Sequence, residues 1–129
     1  MDEKVIFRTD THALYSDSEM RKLDRVIRAF YNYLRDSGRL ELLWSDKVGY
    51  LLIPVDVERR EAARPPRVIR TALELVEALL GEVALELAAR SGKRRLSRKD
   101  YPEYQRRIEE YMAQLPEYRL CVPAAFSGG

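Results

Sequence analysis

The chain has 129 residues, enough for one domain of ordinary size with a core that needs no disulfide or metal staples. Its 23 Lys and Arg nearly cancel its 21 Asp and Glu, which excludes a supercharged tail or a globally basic nucleic-acid coat. One cysteine, Cys121, excludes an internal disulfide and a thiol-rich metal site.

Apolar residues make up 46% of the chain and fall in long periodic runs, so a folded protein rather than a disordered one is expected. Only Val5, Ile6 and Phe7 separate the charged start from Arg8, against the roughly 7–15 apolar residues of a signal peptide. The most apolar stretch, 68–89, is interrupted by Glu74, Glu77, Glu82 and Glu86, and a membrane span needs about 20 apolar residues. These features predict a soluble, cytoplasmic protein without a membrane partner. Arginine outnumbers lysine 18 to 5, and Asn32, Gln105 and Gln114 are the only side-chain amides, a balance that suits a thermophilic source.

Residues 4–9 (Lys-Val-Ile-Phe-Arg-Thr) are a candidate short strand, followed by a connection over 10–16. Ser16 and Glu19 have capping-box spacing, in which the hydroxyl accepts from a free amide and the glutamate reaches back. Met20, Leu23, Val26, Ile27, Phe30, Tyr31 and Leu34 then form one apolar stripe, with Arg21, Lys22, Arg25, Arg28 and Arg35 on its flanks and back. A helix over 18–37 follows, ended by Gly38. Next, Leu40, Leu42 and Trp44 alternate with Arg39, Glu41 and Ser45, and Tyr50–Val55 is a continuous apolar run. Asp46-Lys47-Val48-Gly49 between them is a turn signal, so 39–46 and 49–55 are expected to form a hairpin. The expected register sets Trp44 opposite Leu52 and Leu43 opposite Ile53. Two strands alone are marginal in water, and 4–9 and 118–122 are the candidate third strands.

Residues 56–66 have linker composition, and Pro65-Pro66 can open a helix though not sit inside one. Ile69, Leu73, Val76, Leu80, Val83 and Leu87 then alternate spacings of four and three, predicting a helix over about 67–91. Val68, Ala72, Leu75 and Leu79 widen its apolar face, and Gly92 suits its end. After a loop over 93–99, Asp100 and Glu103 have capping-box spacing, with Pro102 in the first turn. Tyr101, Tyr104, Ile108, Tyr111 and Leu115 predict a last helix, 101–115, stopped by Pro116. The expected architecture is a single α+β domain: three helices, about 18–37, 67–91 and 101–115, packed on a small antiparallel sheet built around a 39–55 hairpin. Its expected core is Leu23, Ile27, Phe30, Trp44, Leu52, Ile69, Leu73, Val76, Leu80, Val83, Ile108 and Tyr111.

The chemistry-bearing residues are few. His12 is the only histidine, so a zinc site lacks its usual partners, and Cys121 lacks a local base. Glu74 and Glu77 have a spacing with which one helix face can hold Mg²⁺, and Glu82 and Glu86 could add ligands for metal-dependent hydrolysis. The helical wheel, however, turns Glu74 and Glu77 away from the apolar seam toward water. No glycine-rich phosphate loop or nucleophile elbow is present. No catalytic residue, metal or cofactor is therefore expected. The densest charge cluster is Arg90, Lys93, Arg94, Arg95, Arg98 and Lys99, six cations in ten residues followed by Tyr101 and Tyr104. Such cations suit phosphates and such rings suit bases, making this loop the candidate site for nucleic acid or another polyanion. The leading expectation is a small non-enzymatic interaction or regulatory module. Surplus apolar surface on the long helix would drive its self-association.

Overall fold

The computed structural model describes residues 14–56, 61–62, 64–93 and 96–119. The candidate strand 4–9 lies outside these residues. The fold class is α+β, with four α-helices and a small antiparallel sheet among the described residues. The chain divides into two compact units, Met1–Ala72 and Leu73–Gly129.

The first unit opens with helix α1 (Asp17–Ala29), whose Ser16 hydroxyl accepts from the Glu19 amide at 3.0 Å. Met20, Leu23, Val26 and Ala29 are its buried stripe. The single helix expected over 18–37 is divided at Phe30, and α2 (Tyr31–Ser37) follows. Phe30 is fully buried and sits at φ −100°, ψ 12°. Helical bonds from Phe30 N–H to the Val26 carbonyl and from Leu34 N–H to the Phe30 carbonyl still flank the break. Gly38 ends α2 at φ 65°, where a residue with a Cβ would be strained.

Strands β1 (Leu40–Ser45) and β2 (Gly49–Asp56) form the expected hairpin in a tighter register. Trp44 faces Tyr50 and Leu43 faces Leu51, two residues away from the expected pairing. The reason lies in the turn. Ser45 already pairs with Gly49, so only Asp46, Lys47 and Val48 remain in the loop. Leu40, Tyr50, Leu52 and Pro54 are buried on one face, as period-two alternation requires.

The third position in the sheet comes from a segment assigned above to linker and helix. Strands β3 (Glu61–Ala62) and β4 (Arg67–Val68) both pair antiparallel with β2. From Val55↔Ala62 to Leu52↔Arg67, three steps along β2 match five along the returning chain, and the surplus holds Pro65-Pro66. Prolines have no N–H to give a ladder, so the returning chain bulges past them. Of the candidate strand 118–122, Tyr118 lies in the 3₁₀ turn Pro116–Tyr118, and 120–122 lie outside the described residues.

One side chain ties these pieces together. The buried Tyr15 hydroxyl donates to the Ile69 carbonyl at 2.6 Å and accepts from the Tyr50 amide at 2.9 Å. The Ile69 amide returns a direct bond to the Tyr50 carbonyl at 2.9 Å. Tyr50 and Ile69 thus form a ladder pair in which one of the two bonds runs through a phenol. The Tyr15 ring lies 6.1 Å from Trp44 and 6.2 Å from Tyr50, and those two meet edge-to-face at 5.0 Å. Gly49 is required beneath it: φ is +86°, and a Cβ would fall on the Tyr15 phenol. A second long-range bond joins the Glu19 carboxylate to the Ala72 amide at 2.6 Å. Glu19 therefore does not reach back as a capping box requires; it satisfies a free donor at the start of another helix.

That helix is α3 (Ala72–Arg90), shorter than the expected 67–91 because Arg67 and Val68 are committed to β2 and Ile69 to Tyr50. Leu75, Val76, Leu79, Leu80, Val83, Ala84, Leu87 and Ala88 are buried within the single chain. Leu73 breaks the expected seam and is 45% exposed, sharing its strip with exposed Glu77 one turn on. With Ile69 outside the helix, the buried face widens around 75/79 and 76/80/83, which leaves 73 outside it. The surplus apolar surface expected on this helix is otherwise absorbed. In the second unit α4 (Tyr101–Met112) buries Tyr104, Ile108 and Tyr111. It stops at 112 rather than 115, and the fully buried Leu115 leads into the 3₁₀ turn at Pro116. Ile27 and Trp44 are half-buried rather than core.

Replacing Tyr15 with Phe keeps the ring but leaves the Tyr50 amide and Ile69 carbonyl without their shared partner. Urea unfolding is expected to show a loss of about 1–3 kcal/mol at unchanged m-value, the cost of a buried unsatisfied polar group.

Candidate functional site

The loop between α3 and α4 is built on local hydrogen bonds. Gly92 and Lys93 amides close the end of α3 on the Ala89 and Ala88 carbonyls. Leu96 is buried and anchors the loop from within. A 3₁₀ turn, Arg98–Asp100, then leads directly into α4. The capping box lies here rather than at Asp100 and Glu103: the Asp100 carboxylate accepts from the Ser97 amide at 2.8 Å and hydroxyl at 3.0 Å. Asp100 does not cap α4, because the chain enters that helix through the 3₁₀ turn and the carboxylate points back to Ser97. Pro102 occupies the first turn of α4, where its missing donor costs nothing.

The six cations of this loop are not equivalent. Arg90 pairs with Glu86 one turn earlier at 3.7 Å, and the Lys93 ammonium donates to Asp100 at 3.1 Å. Arg94 and Arg95 lie outside the described residues. Arg98 and Lys99 are exposed, and Tyr101 beside them is 40% exposed. The Tyr101 ring lies 6.0 Å from that of Tyr104, and its hydroxyl accepts from the Gln105 amide. Tyr104 itself is buried and belongs to the core. Among the described residues of the expected site, Arg90, Lys93, Arg98, Lys99 and Tyr101 are all exposed, and Arg98 and Lys99 are the cations that no local carboxylate pairs with.

The other candidates are placed as follows. His12 and Cys121 lie outside the described residues. Glu77 is exposed, while Glu74, Glu82 and Glu86 are half-buried. Among the described residues no three His, Cys, Asp or Glu side chains come together as metal ligands. No described helix is long and apolar enough to cross a membrane. A cavity of about 260 Å³ runs along α4, lined by Tyr101, Gln105, Ile108, Glu109, Met112 and Arg119 among others.

A surface missed by the sequence reading lies on the sheet. Leu43 faces Leu51 across β1 and β2, and Leu51 faces Val68 across β2 and β4. Directly opposed residues share a face, so these three side chains form one row across three strands. Leu43 is 38% exposed and Val68 39% exposed, with Leu51, Ile53 and Val55 half-buried on the same face. The expected register opposed Leu43 to Ile53, so the hairpin half of the row appears only with the observed pairing. Val68 was not legible in the sequence either, because a helical period also accounted for it. The chain matches no protein family, no curated protein and no solved structure.

The Ser97 amide, then the Lys93 ammonium, hold the Asp100 carboxyl below the usual carboxylate range. A depressed folded pKa means the contribution is present above the unfolded value and is lost as pH falls through the folded one. The Ser97 amide resonance is therefore expected to titrate with a midpoint below that of an ordinary aspartate. Asp100→Asn should abolish that titration.

Proposed function

We propose that the chain is a small non-enzymatic interaction module that self-associates through the outer face of its sheet. The observation that supports this reading is the Leu43–Leu51–Val68 row, an apolar strip that the described chain leaves in contact with water. Two copies stacked on this strip would exclude water from it, as the inner faces of sandwiched sheets do. The row is much smaller than the roughly 20–30 residues per side of a stable interface, so the association is weak and concentration-dependent. Sedimentation across the micromolar range should show a mass rising above 15.1 kDa. The pair Leu43→Lys and Val68→Lys should hold it at the monomer without lowering the melting temperature. A wild-type chain that stays monomeric throughout would overturn the reading.

A second reading is favoured by Arg98, Lys99 and Tyr101, two exposed cations next to an exposed ring. It takes a polyanion as ligand, with the cations on phosphates. The paired Arg90 and Lys93 contribute less, each having a carboxylate neighbour. Arg98→Ala with Lys99→Ala is expected to weaken binding of inorganic polyphosphate several-fold at low salt. The fold should remain intact, since exposed charges carry little stability. Unchanged affinity would remove this reading.

A further inference from the structure

The exposed side of α1 carries a row of cations that neither reading above uses. Arg21, Lys22, Arg25 and Arg28 are all exposed, opposite the buried stripe of Met20, Leu23, Val26 and Ala29. At 100° per residue the three arginines fall within about 60° of the helix circumference and span about 10 Å along its axis. Among the described residues, no carboxylate pairs with Arg21, Lys22 or Arg28. Asp17 and Asp24 lie one turn from Arg21 and Arg28 and trim the local field; with Glu19 the helix carries three acids against four cations, of which Arg25 already has an interaction of its own. The third acid of the helix, Glu19, is turned to Ala72.

Past the break at Phe30, Tyr31 opens α2 and is 56% exposed, a more open ring than Tyr101. The Arg35 guanidinium lies 5.6 Å from the centre of the Tyr31 ring, and Asp36 holds that guanidinium through hydrogen bonds of 2.8 and 3.2 Å. The exposed face of α1 therefore offers a line of cations, and the first residue of α2 adds an exposed aromatic ring backed by a positioned arginine.

We infer that this face binds single-stranded nucleic acid, with Arg21, Arg25 and Arg28 on successive phosphates and Tyr31 stacked on an unpaired base. Charge complementarity selects a polyanion, since the row has more cations than acids and stands on a rigid helix. The ring selects the single strand, because bases in a duplex are stacked on each other and leave no face for a tyrosine. An anionic membrane fits less well, because the apolar side of α1 is buried in the protein and has nothing to insert.

The test is fluorescence anisotropy of the full chain with labelled oligo(dT) and oligo(U), a duplex of equal length, and anionic vesicles as competitor. Single strands should bind at 50 mM salt and bind at least tenfold more weakly at 200 mM. Replacing Arg21, Arg25 and Arg28 together with Ala should lower affinity at least tenfold. It should also flatten the slope of log K against log salt by about 2. The triple Lys variant should keep the slope. Tyr31→Ala should lower single-strand affinity severalfold at unchanged salt slope, with Tyr31→Phe restoring it. Circular dichroism melts of each variant separate lost binding from lost fold. No binding by the wild-type chain, or equal binding by a folded triple Ala variant, would overturn the inference. Equal affinity for the duplex, or release by vesicles alone, would overturn the single-strand assignment. The Arg98→Ala, Lys99→Ala pair in the same assay distinguishes the two surfaces: binding through α1 survives it, and loss through that pair would overturn the placement on α1.

Discussion

The first unit depends on one phenol. Tyr15 stands between the Tyr50 amide and the Ile69 carbonyl and replaces one bond of a ladder pair. A hydroxyl can do this because it donates and accepts at once, which neither an amide nor a carbonyl does. The consequences spread outward. Ile69 is drawn to β2 and cannot belong to the following helix, so that helix starts three residues later. Gly49 has to stay without a side chain, since the ring occupies the space above it. Trp44 and Tyr50 complete an aromatic cluster around the same ring.

Carboxylates play a comparable part at the helix starts. Glu19 accepts from the first amide of α3 across 53 residues of sequence, and Asp100 accepts from Ser97 three residues away. Both satisfy amides that a helix or turn would otherwise leave to water. They differ in what depends on them. The Asp100 bond shapes only its own loop, whereas the Glu19 bond holds the first amide of a nineteen-residue helix.

The surfaces available for binding are what remains after these demands are met. Burial of the long helix withdraws most of its apolar seam from solvent, and the outer face of the sheet keeps Leu43 and Val68 exposed. Among the described residues of the loop cluster, local ion pairs occupy Arg90 and Lys93, and Arg98 and Lys99 are exposed without one. The α1 arginines are exposed because the opposite side of that helix supplies the core. In each case the candidate surface is set by which partners the fold has already used.

Much of the secondary structure was legible because it depends on local periodicity and local stop signals. The 3.6-residue stripe of Met20, Leu23, Val26 and Phe30, the alternation of β1, the turn at Asp46–Gly49 and the stops at Gly38 and Gly92 each involve neighbours within a few residues. The α+β class followed from them. Val68 and Ile69 show where that reasoning ends. Their spacing fits a helix, and helical bonds would have satisfied them, but β2 and Tyr15 offered partners that decided otherwise. The same holds for the two-residue shift of the hairpin register, the exposure of Leu73, and the sheet row in which Val68 completes Leu43 and Leu51. Sequence by itself determined the elements whose hydrogen bonds close locally. Tertiary structure decided where they begin, which faces they show and which surfaces are left to bind, because those outcomes rest on bonds between residues far apart in the chain.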